Sequence, residues 1–230
     1  LARAVELDPT SAVYRFDLGT TRLMGGDAPA AFADFARVVE LDPSLADGWF
    51  MLGQLHANAG RNAEALAAYD RTIAAAPDHV DALRGRGELR HGRNDAAGAI
   101  EDYSRVLELA PDDAPTRFRR GLLRQLSGDS AGARADYDRT LELQPDHAEC
   151  HHNRAVIRYE AGDVAGATLD VDRAIELDPG AAIHWRTRAA MQAGRGDLAG
   201  ALVSIDRALA CAKPGEREDL EDVRRQITGR

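Results

Sequence analysis

Pro9, Pro43, Pro77, Pro111, Pro145 and Pro179 follow one another at a constant interval of 34 residues. A fixed period of this length marks a chain built from stacked copies of one supersecondary unit, each resting on its neighbours. With the proline taken as position 32, six full repeats occupy 12–45, 46–79, 80–113, 114–147, 148–181 and 182–215. Residues 1–11 read as the end of a preceding truncated repeat, and 216–230 as a C-terminal capping helix carrying Leu220, Val223 and Ile227 on its packing face. After each proline stands Thr10, Ser44, Asp78, Asp112, Asp146 or Gly180, residues that accept at a helix N-cap or tolerate it, which predicts a first helix starting there. Position 15 is Gly26, Gly60, Asn94, Gly128, Gly162 or Gly196, the residue types that most readily end a helix in the left-handed conformation. Asp27, Asp95, Asp129, Asp163 and Asp197 follow, each placed to cap a second helix, with Arg61 and Asn62 in their stead in the second repeat. The chain is therefore expected to be all-α.

The packing positions agree. Position 8 is Gly19, Gly53, Gly87, Gly121, Ala155 or Ala189, and position 20 is alanine in every repeat, from Ala31 to Ala201. Bulk comes at position 24, from Phe35, Tyr69, Tyr103, Tyr137, Val171 and Ile205, and from aliphatic residues at position 28. The composition, 44% hydrophobic but only 5% aromatic, suits helices packed closely over small side chains.

Trp49, Leu52, Gly53, Ala65, Tyr69 and Pro77 match the pattern of the tetratricopeptide repeat family, and the chain resembles that family over almost its whole length. The resemblance implies a right-handed superhelical solenoid of antiparallel hairpins, whose first helices line a concave groove. It also implies a protein- or peptide-binding scaffold rather than an enzyme. In such proteins positions 2, 5, 6, 9, 12 and 13 of the first helix tend to face the groove. Carried over, this makes the first repeats apolar, with Phe16, Leu23, Met24, Phe50 and Met51, joined by Phe118, Leu122 and Leu126 in the fourth. Arg84, Arg119, His152, Asn153 and Arg186 add polar and basic groups, opposed by Glu88 and Glu160. The partner expected is a protein or extended peptide with an apolar anchor and an acidic group, unless the phenylalanines merely fill space between adjacent first helices. No three consecutive repeats carry the lysine, asparagine and arginine set with which some family members clamp chaperone tails.

Position 7, usually leucine in the family, is Leu18 and Leu52 in the first two repeats but Arg86, Arg120, Arg154 and Arg188 in the last four. An arginine at a packing position needs an anion, because a buried charge stripped of its partner costs about 3–5 kcal/mol. Asp102, Asp136 and Asp170 at position 23 are the candidates, paired either with the arginine of their own repeat or with that of the next. The alternative is that each arginine lays its stem over the helix groove and keeps its head in water.

No phosphate-binding loop, His-Glu-x2-His pair, Gly-x-Ser-x-Gly elbow or Cys-x2-Cys pair is present, so no catalytic residue, cofactor or metal is expected. Cys150, His151 and His152 are consecutive and diverge by ~100° around a helix, which suits structural roles better than metal ligation. The net charge of −9 opposes general nucleic-acid binding, which leaves an RNA-binding array as a weak alternative resting on the local arginines. Cys150 and Cys211 suggest no disulfide framework and hence a reducing, cytoplasmic compartment. No apolar run approaches the ~20 residues of a membrane span. The chain starts at Leu1 in mid-hairpin, so upstream repeats or a partner chain are expected there. That unfinished hairpin predicts end-to-end self-association, and it also admits the reading of a regulatory segment from a larger enzyme.

Overall fold

The structure, a computed structural model, describes residues 1–229, and among them every regular element is helical. After the short α1 (Ala2–Leu7), helices follow in pairs: α2 (Ala12–Met24) with α3 (Ala28–Leu41), α4 (Ala46–Asn58) with α5 (Asn62–Ala75), and α6 (Val80–Gly92) with α7 (Ala96–Leu109). Next come α8 (Ala114–Leu126) and α9 (Ser130–Leu143), α10 (Ala148–Glu160) and α11 (Val164–Leu177), and α12 (Ala182–Gly194) and α13 (Leu198–Cys211). A single turn at Pro214–Glu216 leads into α14 (Arg217–Thr228), which packs on α13. The chain divides into two compact units, one ending at Thr116 and the other starting at Arg117.

The turn inside each hairpin is as the sequence predicts. Gly26 has φ 84° and Asn94 φ 62°, so both sit in the left-handed region. Asp27 and Asp163 then cap α3 and α11 by accepting from the backbone N–H of Ala30 and Gly166. The turn between hairpins differs by one residue from the expectation. The caps of α2, α6 and α10 are Ser11, His79 and His147, whose side chains accept from Tyr14, Ala82 and Cys150 N–H. Thr10 and Ser44 are occupied elsewhere, since their N–H and hydroxyl groups donate back to the Asp8 and Asp42 carboxylates that close the preceding helices. The proline between them holds this local turn, and the new helix starts only after it.

Glycine at position 8 is a consequence of the ring at position 24. A Cβ on Gly53 would lie 2.6 Å from Tyr69 Cε1, and one on Gly87 2.7 Å from Tyr103 Cε1. Where position 24 is aliphatic, as at Val171 and Ile205, position 8 is Ala155 and Ala189, and both alanines are fully buried. The pair varies together because the interhelical gap holds either a ring edge or a methyl group, not both.

The position-7 arginines answer the pairing question. Arg86 donates to Asp102 through Nε and Nη2 (3.0 and 2.6 Å), Arg120 to Asp136 (2.9 and 2.6 Å) and Arg154 to Asp170 (2.8 and 2.6 Å), all within one repeat. A second arginine at position 11 shares each carboxylate: Arg90, Arg124 and Arg158 reach the same three aspartates at 2.8–2.9 Å. In the first repeat Leu18 replaces the position-7 arginine, and Asp34 is served by Arg15 and Arg22 instead. Links to the preceding repeat exist too, but they run to position 25: Arg86 to Asp70, Arg154 to Asp138 and Arg188 to Asp172.

Candidate functional site

Two clefts open on the first helices, one in each unit, and homologous positions line them. In the first unit Gln54, Ala57 and Asn58 of α4 face Asp81, Arg84, Gly85 and Glu88 of α6 across about 360 Å³. In the second unit Val156, Tyr159 and Glu160 of α10 face Ile183, Arg186, Thr187 and Ala190 of α12 across about 340 Å³. Both sets are positions 9, 12 and 13 of one repeat followed by 2, 5, 6 and 9 of the next. Phe50 and Tyr69 also reach the first cleft, while Met191 floors the second.

The chemistry of the two differs. Arg84 is held by three partners: Nη2 donates to Asp113 (2.8 Å), Nη1 to Asp81 (2.5 Å) and Nε to Thr116 Oγ1 (3.3 Å). Burial pushes the Asp113 carboxyl up, but Thr116 and Arg84 outweigh it and hold that group below its usual range. The first cleft is accordingly polar, with its cation already neutralised. Arg186 is exposed and has no ion-pair partner among the described residues, and the walls around it are mostly apolar. It also lines two further clefts formed with α14. One, of about 170 Å³, is bordered by Glu216, Asp219 and Leu220, and the other, of about 360 Å³, by Ala193, Leu198, Val223 and Ile227.

The aromatic residues named from the sequence turn inward. The Phe16 ring lies 5.5 Å from that of Phe35. Phe50 packs at a tilt against Tyr69 and His79, and Phe118, which is buried, against Tyr137 and His147. Each thus closes the seam beside its own second helix, and only Phe50 also borders a cleft among those described. Met51 packs, partly buried, against the cluster containing Phe35 and Leu52. Arg119 and Asn153 are partly buried, and the Asn153 side-chain nitrogen has no hydrogen-bond partner among the described atoms. His152 lies with its ring 5.0 Å from that of buried His184, and burial followed by the neighbouring imidazole pushes its pKa down to about 4. Of the nine residues named, Phe50 and Arg84 share a cleft in the first unit, and Arg186 stands at the hub of three in the second.

The Cys150–His152 run has structural work. Cys150 is fully buried against Tyr137, His151 joins Asp170 to the Pro145 carbonyl, and His152 faces His184. No group of three potential metal ligands occurs among the described residues. Tyr159, Val156, Ile183, Thr187 and Ala190 were not singled out from the sequence, although their repeat positions were available. Four of them are neither aromatic nor charged and so carry no chemical signal of their own, Tyr159 is aromatic and sits at a groove position, and α14 as a second wall had no signal in the repeat pattern.

Hairpins of one length, joined through the same small-residue contacts, define a helical-repeat solenoid. A family model described as tetratricopeptide repeat matches residues 50–114 and again 118–182, more than half of the chain. The chain therefore belongs to the tetratricopeptide repeat family. Among solved structures it is similar to YrrB, described as a TPR protein with an unusual peptide-binding site, at 20% identity and TM-score 0.73 over 80% of this chain and 94% of that one. It is also similar to PilF of Pseudomonas aeruginosa (16%, TM-score 0.69, 92% and 96%) and to a MamA protein (25%, TM-score 0.66, 74% and 93%). These likenesses concern the fold. No curated protein sequence matches the chain. No helix among the described residues is long and apolar enough to cross a membrane.

Proposed function

We propose that this chain is a protein-interaction scaffold that holds an extended peptide in the clefts of its first helices. The observation that carries the reading is the recurrence of one cleft: the same repeat positions, on consecutive first helices, line an open volume in each unit. Clefts of about 340 and 360 Å³ fall at the small end of the roughly 300–1,000 Å³ found for ligand sites. The two clefts would divide the work. That of the first unit offers amide and carboxylate groups from Gln54, Asn58 and Glu88 to a peptide backbone or a polar side chain. That of the second offers Val156, Tyr159, Ile183 and Met191 to an apolar anchor, with Arg186 available to an acidic group. The family fold is typically non-enzymatic, and binding alone accounts for these features.

The test places a bulky residue in each cleft. Gln54 and Ala190, each at position 9 and each exposed, become Trp, and twelve-residue peptides selected from a random display library on the unaltered protein are titrated against the variant. With an unchanged helical spectrum, affinity should fall at least tenfold. Peptides that bind the variant as well as the parent would place recognition on another face.

A further inference from the structure

The cleft between α10 and α12 is not isolated. Ala190 and Arg186 belong both to it and to the cleft between α12 and α14, so the two lie on either side of one helix with the guanidinium between them. Each has an apolar end: Tyr159 and Ile183 on one side, Val223 and Ile227 on the other. Acidic groups mark the limits, with Glu160 in the first cleft and Glu216 and Asp219 where Arg186 meets the start of α14. The outcome is one cation between two apolar holes, bounded by carboxylates.

We propose that this C-terminal trough recognises a peptide motif of two apolar side chains three residues apart, with an acidic residue at one of the two positions between them. The inference rests on the peptide-binding reading above and adds the motif. The spacing follows from geometry. Neighbouring packed helices stand about 8–10 Å apart, so holes on either side of one helix are separated by roughly the same distance. A polyproline II segment rises about 3.1 Å per residue with three residues per turn, which brings residues i and i+3 onto one face about 9.3 Å apart. A β-extended segment places same-face residues about 6.6 or 13 Å apart, too short or too long for the two holes. The acid is specified by Arg186, which is exposed and has no ion pair among the described residues although Glu160, Glu216 and Asp219 border its clefts, and a basic residue there would face that cation instead. An amide or hydroxyl at the same place would gain hydrogen bonds without the ionic attraction. Helix α14 thereby gains a role beyond covering the last hairpin, because Val223 and Ile227 serve both the packing against repeat six and the far wall of the trough.

The probes are fluorescein-labelled peptides with two leucines separated by one to six positions in a Gly/Ser background, with or without a glutamate between them. They are titrated by anisotropy against the whole chain. Binding should peak at a separation of three, survive proline at the free intervening position, and weaken about tenfold when Glu becomes Lys. That peptide should be rescued by Arg186→Glu. Two blocking variants separate the levels of the argument. Ala193→Trp fills only the α12–α14 cleft and should reduce the two-leucine peptide to the affinity of a one-leucine control. Val156→Trp fills only the α10–α12 cleft. If Val156→Trp abolishes binding while Ala193→Trp leaves it intact, or if affinity is indifferent to leucine spacing, the motif is refuted and the single-cleft reading survives. If neither blocking variant matters, both fall.

Discussion

Removing Asp102 tests how the third repeat is held together. This carboxylate is 1% exposed and accepts from Arg86 Nε and Nη2 and from Arg90 Nη1 at 2.6–3.2 Å. Asp102→Ala strands two guanidinium groups whose side chains are only 16% and 24% exposed. Breaking a buried pair from one side costs about 3–5 kcal/mol. The lower figure applies here, since Arg86 keeps Asp70 and Arg90 stands within 4.0 Å of Asp95 and Glu101. The molecule supplies its own control. The second repeat carries Leu52, His56 and Ala68 where the third carries Arg86, Arg90 and Asp102, and it builds the same hairpin. Transplanting that triad as Arg86→Leu, Arg90→His, Asp102→Ala should therefore recover stability to within about 1 kcal/mol of the parent, because well-packed apolar groups commonly replace buried ion pairs at little cost. The lost Asp70 link matters little, as that carboxylate is 57% exposed. Trp49 lies in the first unit and Trp185 in the second, so urea unfolding followed by fluorescence in a Trp185→Phe background reports on the right one. With a slope of about 2 kcal/mol/M, the single variant should lose roughly 1–2 M in its midpoint. A shift below 0.3 M, taken here as about the smallest resolvable, or a triple variant as unstable as the single one, would refute the claim that the cost lies in uncompensated charge.

Other expectations are as specific. Gly87→Ala drives a methyl into the Tyr103 ring and should cost about 1–3 kcal/mol, most of it recovered by adding Tyr103→Val to copy the Ala155 and Val171 pair. Asp163→Ala removes the cap of α11 and should cost about 1 kcal/mol in a thermal melt, with faster amide exchange confined to the first turn of that helix. His152 is pushed down to about 4, so between pH 6.5 and 4 the unfolded chain takes up a proton that the folded chain does not. The contribution of this group to stability is therefore full above pH 6.5 and is lost as pH falls through that window, amounting to at most about 3 kcal/mol. His184 is lowered as well and adds to the same slope. Trp185 fluorescence melts across pH should show it, and His152→Gln should flatten the profile.

The helical hairpins and their turns were legible in the sequence because they depend on local chemistry that recurs along the repeats: a proline, a left-handed glycine or asparagine, a capping aspartate in five of the six, and small residues opposite large ones. The pairing of Arg86, Arg120 and Arg154 was legible as a need but not as an address. Two registers satisfied the spacing, and only the packed helices show that position 23 lies across the hairpin while position 25 meets the next repeat. The one-residue displacement of the first-helix caps had the same source, since Asp8 and Asp42 captured Thr10 and Ser44 before these could cap anything.

Sequence by itself thus determined the class of fold, which follows from period and residue size, while the positions that line the clefts were implied by the resemblance to the tetratricopeptide repeat family. Tertiary structure alone decided which of those side chains are available. Phe16, Phe50 and Phe118 are drawn into seams by rings on their own second helices, and Arg84 is neutralised by Asp113, 29 residues away in sequence. Arg186 is exposed and has no ion-pair partner among the described residues, although Glu160, Glu216 and Asp219 line the same clefts. A residue's type states what it can bind, but its neighbours in space decide whether it is already bound.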